Sequence, residues 1–308
     1  EVSVTQIKRG MEAARDDALL ILDESSTSMN SIEEIEHVAR ISSNGDEQIT
    51  DLITKAVTSV GKGGSVTVEE ARSNKSSLDL TEGFTFDSGL AAQAFVTDTR
   101  LNLCRYENPL FLITDERLES VEQILPTLEI AARESRPLVI ISDEIEGQAL
   151  ASLIMNTVRG SMKVAAVKAP RYGEERRQIM KDLSIALGAK YFTQSGGSSL
   201  ASSTVSLEDF GTSRSVVITK RSTTIVGGLG KTKDISSRIA QIDTEVESET
   251  SDTSLAILLE RRNRLVSGIA VIRVGAPTEV EMIEKKHRVE DALEAVRSAQ
   301  QEGYLPGG

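Results

Sequence analysis

The sequence predicts an α/β block inserted into a mainly helical one, and three observations carry that expectation. Both ends of the chain show apolar residues at helical spacing. From Gly83 to about Gly268, short apolar runs alternate with helical stretches, the texture of an α/β domain. No segment repeats at a fixed period, which argues against a solenoid. The two ends of the inserted block would then meet again at its base.

Taken in order, Ile7 to Leu22 has Ala-rich helical spacing, and Asp23 to Asn30 is a polar, Ser/Thr-rich connector. Ser31 to Ile41 opens like a capped helix, with Ser31 as N-cap and Glu34 three residues on. Asp46 to Val60 reads as another helix, ended by the glycines of VGKGG, and Ser65 to Glu69 alternates as a strand. In the central block Leu110 to Ile113, Leu138 to Ile141, Val164 to Val167 and Val216 to Ile218 read as short strands. Asp115 to Glu134 reads as a helix with a broad apolar band, Leu118, Val121, Ile124, Leu125, Leu128 and Ala132, that contains Pro126. Glu146 to Arg159 reads as a second, with Ala149, Leu150, Ala151, Leu153, Ile154, Met155 and Val158 covering more than half of its circumference. Such a helix is either buried all round, or packs one side on the sheet and displays the other to a partner.

The last helix runs through TEVEMIEKKHRVEDALEAVRSAQQ from Thr278. Met282, Val289, Leu293, Val296 and Ala299 form its apolar stripe, and Asp291 falls on the opposite face beside Glu284, His287 and Glu294. Glu281 with Lys285 and Glu284 with Arg288 add i, i+4 ion pairs. On periodicity alone Asp291 is one acid on a solvated face.

Composition sets the outer bounds. A length of 308 residues suits two domains or one large one, and 39% apolar with 27% charged residues suits a soluble globular protein. No apolar run approaches the roughly 20 residues that span a bilayer, so no membrane partner is expected. The first residues lack the basic start and apolar core of a signal peptide. A net charge of −12 and 3% aromatic residues argue against nucleic acid. The lone Cys104 excludes an internal disulfide and fits a reducing cytosol. With no initiating Met and an end on Gly307-Gly308, the chain reads as a piece of a longer protein.

Most catalytic templates fail. His37, His287 and Cys104 supply too few ligands for zinc, so no metal site of the chain's own is expected. No Gly-x-Ser-x-Gly elbow occurs. Gly61-Lys62-Gly63-Gly64-Ser65 leads into a strand, where a phosphate loop leads into a helix. Gly230-Lys231-Thr232 does precede a helical stretch, but the template's first glycine falls on Ile225, and a glycine turn is the simpler reading.

Longer strings say more. KRGMEAA, VGKGGSVTVEEA, EGFTFDSG, NPLFLITDERL, LPTLEIAARESRPLVIISDEIEGQALASLIMNTVRG, KVAAVKAPRYGEERRQIMKDL and GIAVIRVGAPTEVEMIEKKHRVEDAL follow one another in order. Together they resemble the group I, GroEL-type chaperonins essentially from end to end. The resemblance implies an apical α/β domain at 83–268 inserted in a mainly helical intermediate domain at 24–82 and 269–300. Residues 1–23 and 301–308 would be stubs of an equatorial domain. It also implies a cytoplasmic, protein-folding ATPase (host cytoplasm for a viral member), working as a ring of identical subunits on non-native polypeptides, with ATP and Mg²⁺ as cofactors. The piece alone is expected to bind polypeptide passively, without ATPase activity.

Residue by residue, the resemblance makes Asp291 the carboxylate that orients or activates the water attacking ATP. Ile41 and Ser42 would line the nucleotide pocket, and the Gly307-Gly308 backbone would lie against the nucleotide. Asp46 and Arg288 would bridge the two halves of the intermediate domain. Leu90, Ala94, Phe95, Leu125, Leu128, Leu150, Ile154 and Met155 would form the groove for unfolded polypeptide and for a co-chaperonin loop, whereas Leu153 faces inward. Several positions depart from the pattern. Ser88 replaces an arginine whose partner, Glu279, is retained, so an inter-subunit salt bridge is lost. Leu90 and Ala94 replace aromatic residues, Arg171-Tyr172 replaces Gly-Phe, and Tyr191 to Ser203 is unusually rich in Ser and Gly. These departures point to a diverged or viral member and count against use of a standard co-chaperonin.

Overall fold

A computed structural model describes residues 3–29, 31–61, 64–71, 73–194, 199–200, 203–266 and 268–305. The chain begins with α1 (Val4–Ser25), α2 (Ile32–Ser42), α3 (Glu47–Val60), β1 (Val66–Glu70), β2 (Ser77–Thr81), β3 (Gly83–Phe86), β4 (Cys104–Glu107), β5 (Leu110–Thr114) and β6 (Arg117–Leu118). Next come α4 (Val121–Glu134), β7 (Leu138–Ser142), β8 (Glu144–Ile145), α5 (Gly147–Val158), β9 (Val164–Lys168), α6 (Gly173–Leu187) and β10 (Tyr191–Phe192). It closes with β11 (Gly211–Ile218), β12 (Thr223–Gly228), α7 (Thr232–Ser248), α8 (Asp252–Val266), β13 (Ile269–Val274) and α9 (Glu279–Glu302). The mixed α/β character predicted from the sequence is what the structure has. Two compact units result: a helical one (Glu1–Gly61, Val68–Asp79, Ala270–Gly308) and an α/β one (Lys62–Thr67, Leu80–Ile269).

In the α/β unit the main sheet has strand order β3-β12-β11-β5-β7-β9, with β10 on β5 and β4 on β11. β5, β7 and β9 are parallel, with Leu110 opposite Leu138 and Leu138 opposite Val164. Every residue of β5 and β7 is buried, and only Lys168 of β9 is exposed. Their unbroken apolar runs are the mark of strands covered on both faces. Phe86, Phe95, Phe111 and Phe192 are the largest side chains enclosed in this core.

The helix expected from Asp115 begins later, at Val121. Residues before it turn instead into β6, which pairs with β8, and the Gln123 side-chain oxygen Oε1 accepts from the Glu119 and Ser120 amides to fix the start. Gly230 serves close packing: its amide donates to the Ala186 carbonyl at 3.0 Å, and a Cβ there would stand 2.1 Å from the Ile185 carbonyl oxygen. Arg171, where the resemblance implies glycine, holds φ at 58°, with Glu175 and Glu260 at 3.5 and 3.7 Å from its guanidinium.

Three helices of this unit meet on one buried carboxylate. Asp182 on α6 accepts from Arg238 of α7 at 2.6 Å and from Arg261 of α8 at 2.9 Å, and Gln178 accepts from Arg238 at 2.7 Å. A buried acid with two charge-assisted donors is satisfied in a way that an isolated one is not.

The helical unit is built on caps. Ser31 and Glu34 form the expected reciprocal capping box, Asp46 Oδ1 accepts from the Gln48 and Ile49 amides, and Thr278 caps α9. α2, α3 and α9 pack together and bury Ala39, Ile49, Ile53, Val289, Leu293 and Val296. Thr27 and Tyr304 exchange backbone hydrogen bonds at 2.9 Å. α1 buries no residue of its own. β1, β13 and β2 form a three-stranded sheet in that order, and the boundaries between the units fall within these strands.

Candidate functional site: an apolar helix pair and the Asp291 face

α4 and α5 each join neighbouring parallel strands, so the two helices run in the same direction. α5 packs against α4, β9 and the short turn Gln93–Phe95, and buries Ala149 and Leu153 completely. Thr157 Oγ1 donates to the Val164 carbonyl at 3.1 Å and ties the end of α5 to β9. The opposite side of the pair is open. Leu125 is 46% exposed, Met155 47% and Val158 69%, while Leu150 and Ile154 are half-buried. Val158 was absent from the expected groove, although its place four residues after Ile154 puts it on the same face.

Two expected groove residues are not presented to solvent. Phe95 is 0% exposed, because the turn that carries it packs into α5 and β9. Leu128 is 6% exposed, because it follows Ile124 by one turn on the inward stripe of α4. Both support the face from beneath. Leu90 and Ala94 are half-buried, and Leu90 forms a bridge with Val167. An exposed apolar surface on a rigid scaffold can take apolar segments of varied sequence, since burial is non-directional. Met155 adds a side chain that adapts to the surface laid on it.

In the helical unit Asp291 is exposed on α9. One turn earlier, Arg288 Nη1 lies 3.4 Å from Asp46 Oδ2, while its Nη2 donates to Glu284 at 2.6 and 2.5 Å. That hydrogen bond holds the Glu284 carboxyl below its ordinary value. Lys285 donates to Gln48 at 3.5 Å and Lys286 to Glu70 at 2.7 Å, so three side chains within about one turn tie the helix to its neighbours. The structure therefore brings Asp46 and Arg288 together. Ile41, 73% exposed, and half-buried Ser42 end α2, which packs on α9. Gly307 and Gly308 lie outside the described residues. Among the described residues, no group of three or more His, Cys, Asp or Glu could hold a metal ion.

The model of the TCP-1/cpn60 chaperonin family matches residues 1–308. The chain belongs to the chaperonin family. A chaperone role in protein folding comes with that membership, and ATPase activity is general among chaperonins. For a chaperonin, the apolar helix pair and the exposed carboxylate on α9 are the two features of this chain to be explained.

Proposed function

We propose that this chain is the polypeptide-binding and connecting part of a group I, GroEL-type chaperonin subunit, which captures non-native polypeptides and assists their folding in an ATP-driven ring of identical subunits. The observation that carries it is the exposed face of Leu125, Met155 and Val158 beside Leu150 and Ile154. Removing about 400 Å² of such surface from water is worth roughly 10 kcal/mol before association costs. Residues 83–268 act as the apical domain, 24–82 with 269–300 as the intermediate domain, and 1–23 with 301–308 as equatorial stubs. The protein works in the cytoplasm, and the changes at Ser88, Leu90 and Ala94 make a standard co-chaperonin a poor fit.

Asp291 is the residue assigned to hydrolysis, with Ile41, Ser42, Gly307 and Gly308 along the nucleotide. ATP with Mg²⁺ supplies the phosphoryl group; the carboxylate's part is to accept a hydrogen bond from water and aim it. Its exposure on a helix pinned through Arg288 supports that role. In the full-length parent, Asp291→Ala should keep ATP binding and slow hydrolysis about 100-fold or more. Unchanged turnover would overturn the assignment. A second reading, that residues 1–308 alone form a passive polypeptide-binding module, is favoured by the apolar face lying within one compact unit. The purified piece should then bind unfolded polypeptide without hydrolysing ATP, and measurable ATPase activity would contradict it.

A further inference from the structure

The α4–α5 face is electrically polar along its length. At the N-terminal ends of the two helices, Glu119, Glu144 and Glu146 share the single Arg117 at 3.5, 2.6 and 3.0 Å, and exposed Glu122 adds to them. Beyond the C-terminal ends, between Ala132 and Ser135 on one side and Gly160 and Ser161 on the other, opens a pocket of about 650 Å³. Arg105, Arg136 and Lys163 line it, with Glu107 as the one acid of the lining. Arg136 spends its donors on neutral oxygens, Asn108 O at 2.9 Å, Asn108 Oδ1 at 2.8 Å and Pro109 O at 3.3 Å. Arg133 and Arg159 are exposed beside the rim, Arg133 with Glu134 at 3.9 Å.

Acids at helix starts and bases at helix ends are also what the helix dipole favours. That accounts for Glu122, Arg133 and Arg159. It does not account for Arg105 on β4, or for Arg136 and Lys163 in the loops past the helices. Concentrated positive charge in a protein of net charge −12 is a local departure that needs its own reason.

We propose that this pocket is a subsite for acidic side chains that flank the apolar stretch of a captured polypeptide. The inference rests on reading the α4–α5 face as the polypeptide-binding surface. The occupant is one segment with two chemistries: apolar side chains over Leu125, Ile154 and Met155, and carboxylates beyond the helix ends. Partial burial already depresses the Arg136 guanidinium from its ordinary value, and an arriving carboxylate would reverse that effect. Selection by charge would then be laid over capture by burial, setting the register and direction in which a segment lies.

The test uses the intact protein and three labelled peptides with amidated C-termini, identical in their apolar core and carrying a short Asp, Ser or Lys flank. Fluorescence anisotropy at low salt should show the Asp-flanked peptide binding about five- to ten-fold tighter than the Ser-flanked one, the sum of two or three exposed ion pairs. The ratio should fall toward one at high salt and in the double variant Lys163→Glu, Arg159→Glu. Lys163→Gln, a change at an exposed position, should lower the same ratio and guards against a folding defect in the reversal. Equal affinities in the unaltered protein, or an advantage that survives the charge reversal, would overturn the subsite while leaving the apolar face intact. If Leu150→Glu with Ile154→Glu leaves Ser-flanked binding unchanged, or if no peptide binds, the apolar-face reading falls and the subsite falls with it.

Discussion

Cys104 is completely enclosed, and burial pushes its thiol up to about 11. Tyr106, whose hydroxyl donates to the Val164 carbonyl at 3.2 Å, is pushed up by burial as well. Both groups favour the neutral form in the folded state, so their contribution to stability is complete below the ordinary thiol value of 9.0. As pH rises from there to about 11, the Cys104 thiol of the unfolded chain ionises first and its contribution drains away. The urea midpoint should fall between about pH 8, below that window, and about pH 10.5, within it, and less steeply for Cys104→Ala. The folded protein should also resist an aromatic disulfide reagent at neutral pH that labels it rapidly in denaturant; immediate labelling would show the thiol is not enclosed. Asp182 carries the larger energy. Asp182→Ala would strand Arg238 and Arg261 in the interior and should cost about 3–5 kcal/mol by chemical denaturation. A loss below about 1 kcal/mol would mean that the arginines find water.

Among the elements, α4 ends on Ser135, which takes the left-handed conformation with φ 54° and ψ 32°. Glycine adopts that conformation without a Cβ penalty, so Ser135→Gly should raise the thermal midpoint, worth about 0.5–1 kcal/mol. A lower midpoint would show that the serine side chain makes a compensating contact. Elements that bury apolar side chains were the legible ones. β5, β7 and β9 stood out because Val, Leu and Ile runs need no partner to be recognised, and Ser31 with Glu34 announced α2. α8 had no such signal: the only fully buried residue it contributes is Arg261, which a search for apolar stripes passes over. The start of α4 was misplaced because Leu118 continues its apolar spacing, although that residue belongs to β6. Leu125 and Met155, expected at the groove, are exposed on the helix pair. Phe95 and Leu128 needed the packing of α5 and of the Gln93–Phe95 turn to be known. The role proposed for Asp291 rests on family likeness; helix geometry shows only that it faces outward.

At the scale of the whole molecule, the α/β unit holds its main sheet, the helices α4 to α8 and the apolar face within Leu80–Ile269 together with a short upstream segment. Residues 80–269 expressed alone should therefore melt cooperatively and still bind apolar peptides. A broad, non-cooperative melt would show that this core is not self-sufficient. In the helical unit, Asp46 divides its two oxygens: Oδ1 caps α3, while Oδ2 meets Arg288 of α9. The two tasks are separable. An ion pair whose two side chains stay about a third exposed contributes about 1 kcal/mol or less, so it can part while the cap stays in place. One of the fastenings of α9 is thus a clasp that can open without unravelling the helix it fastens to.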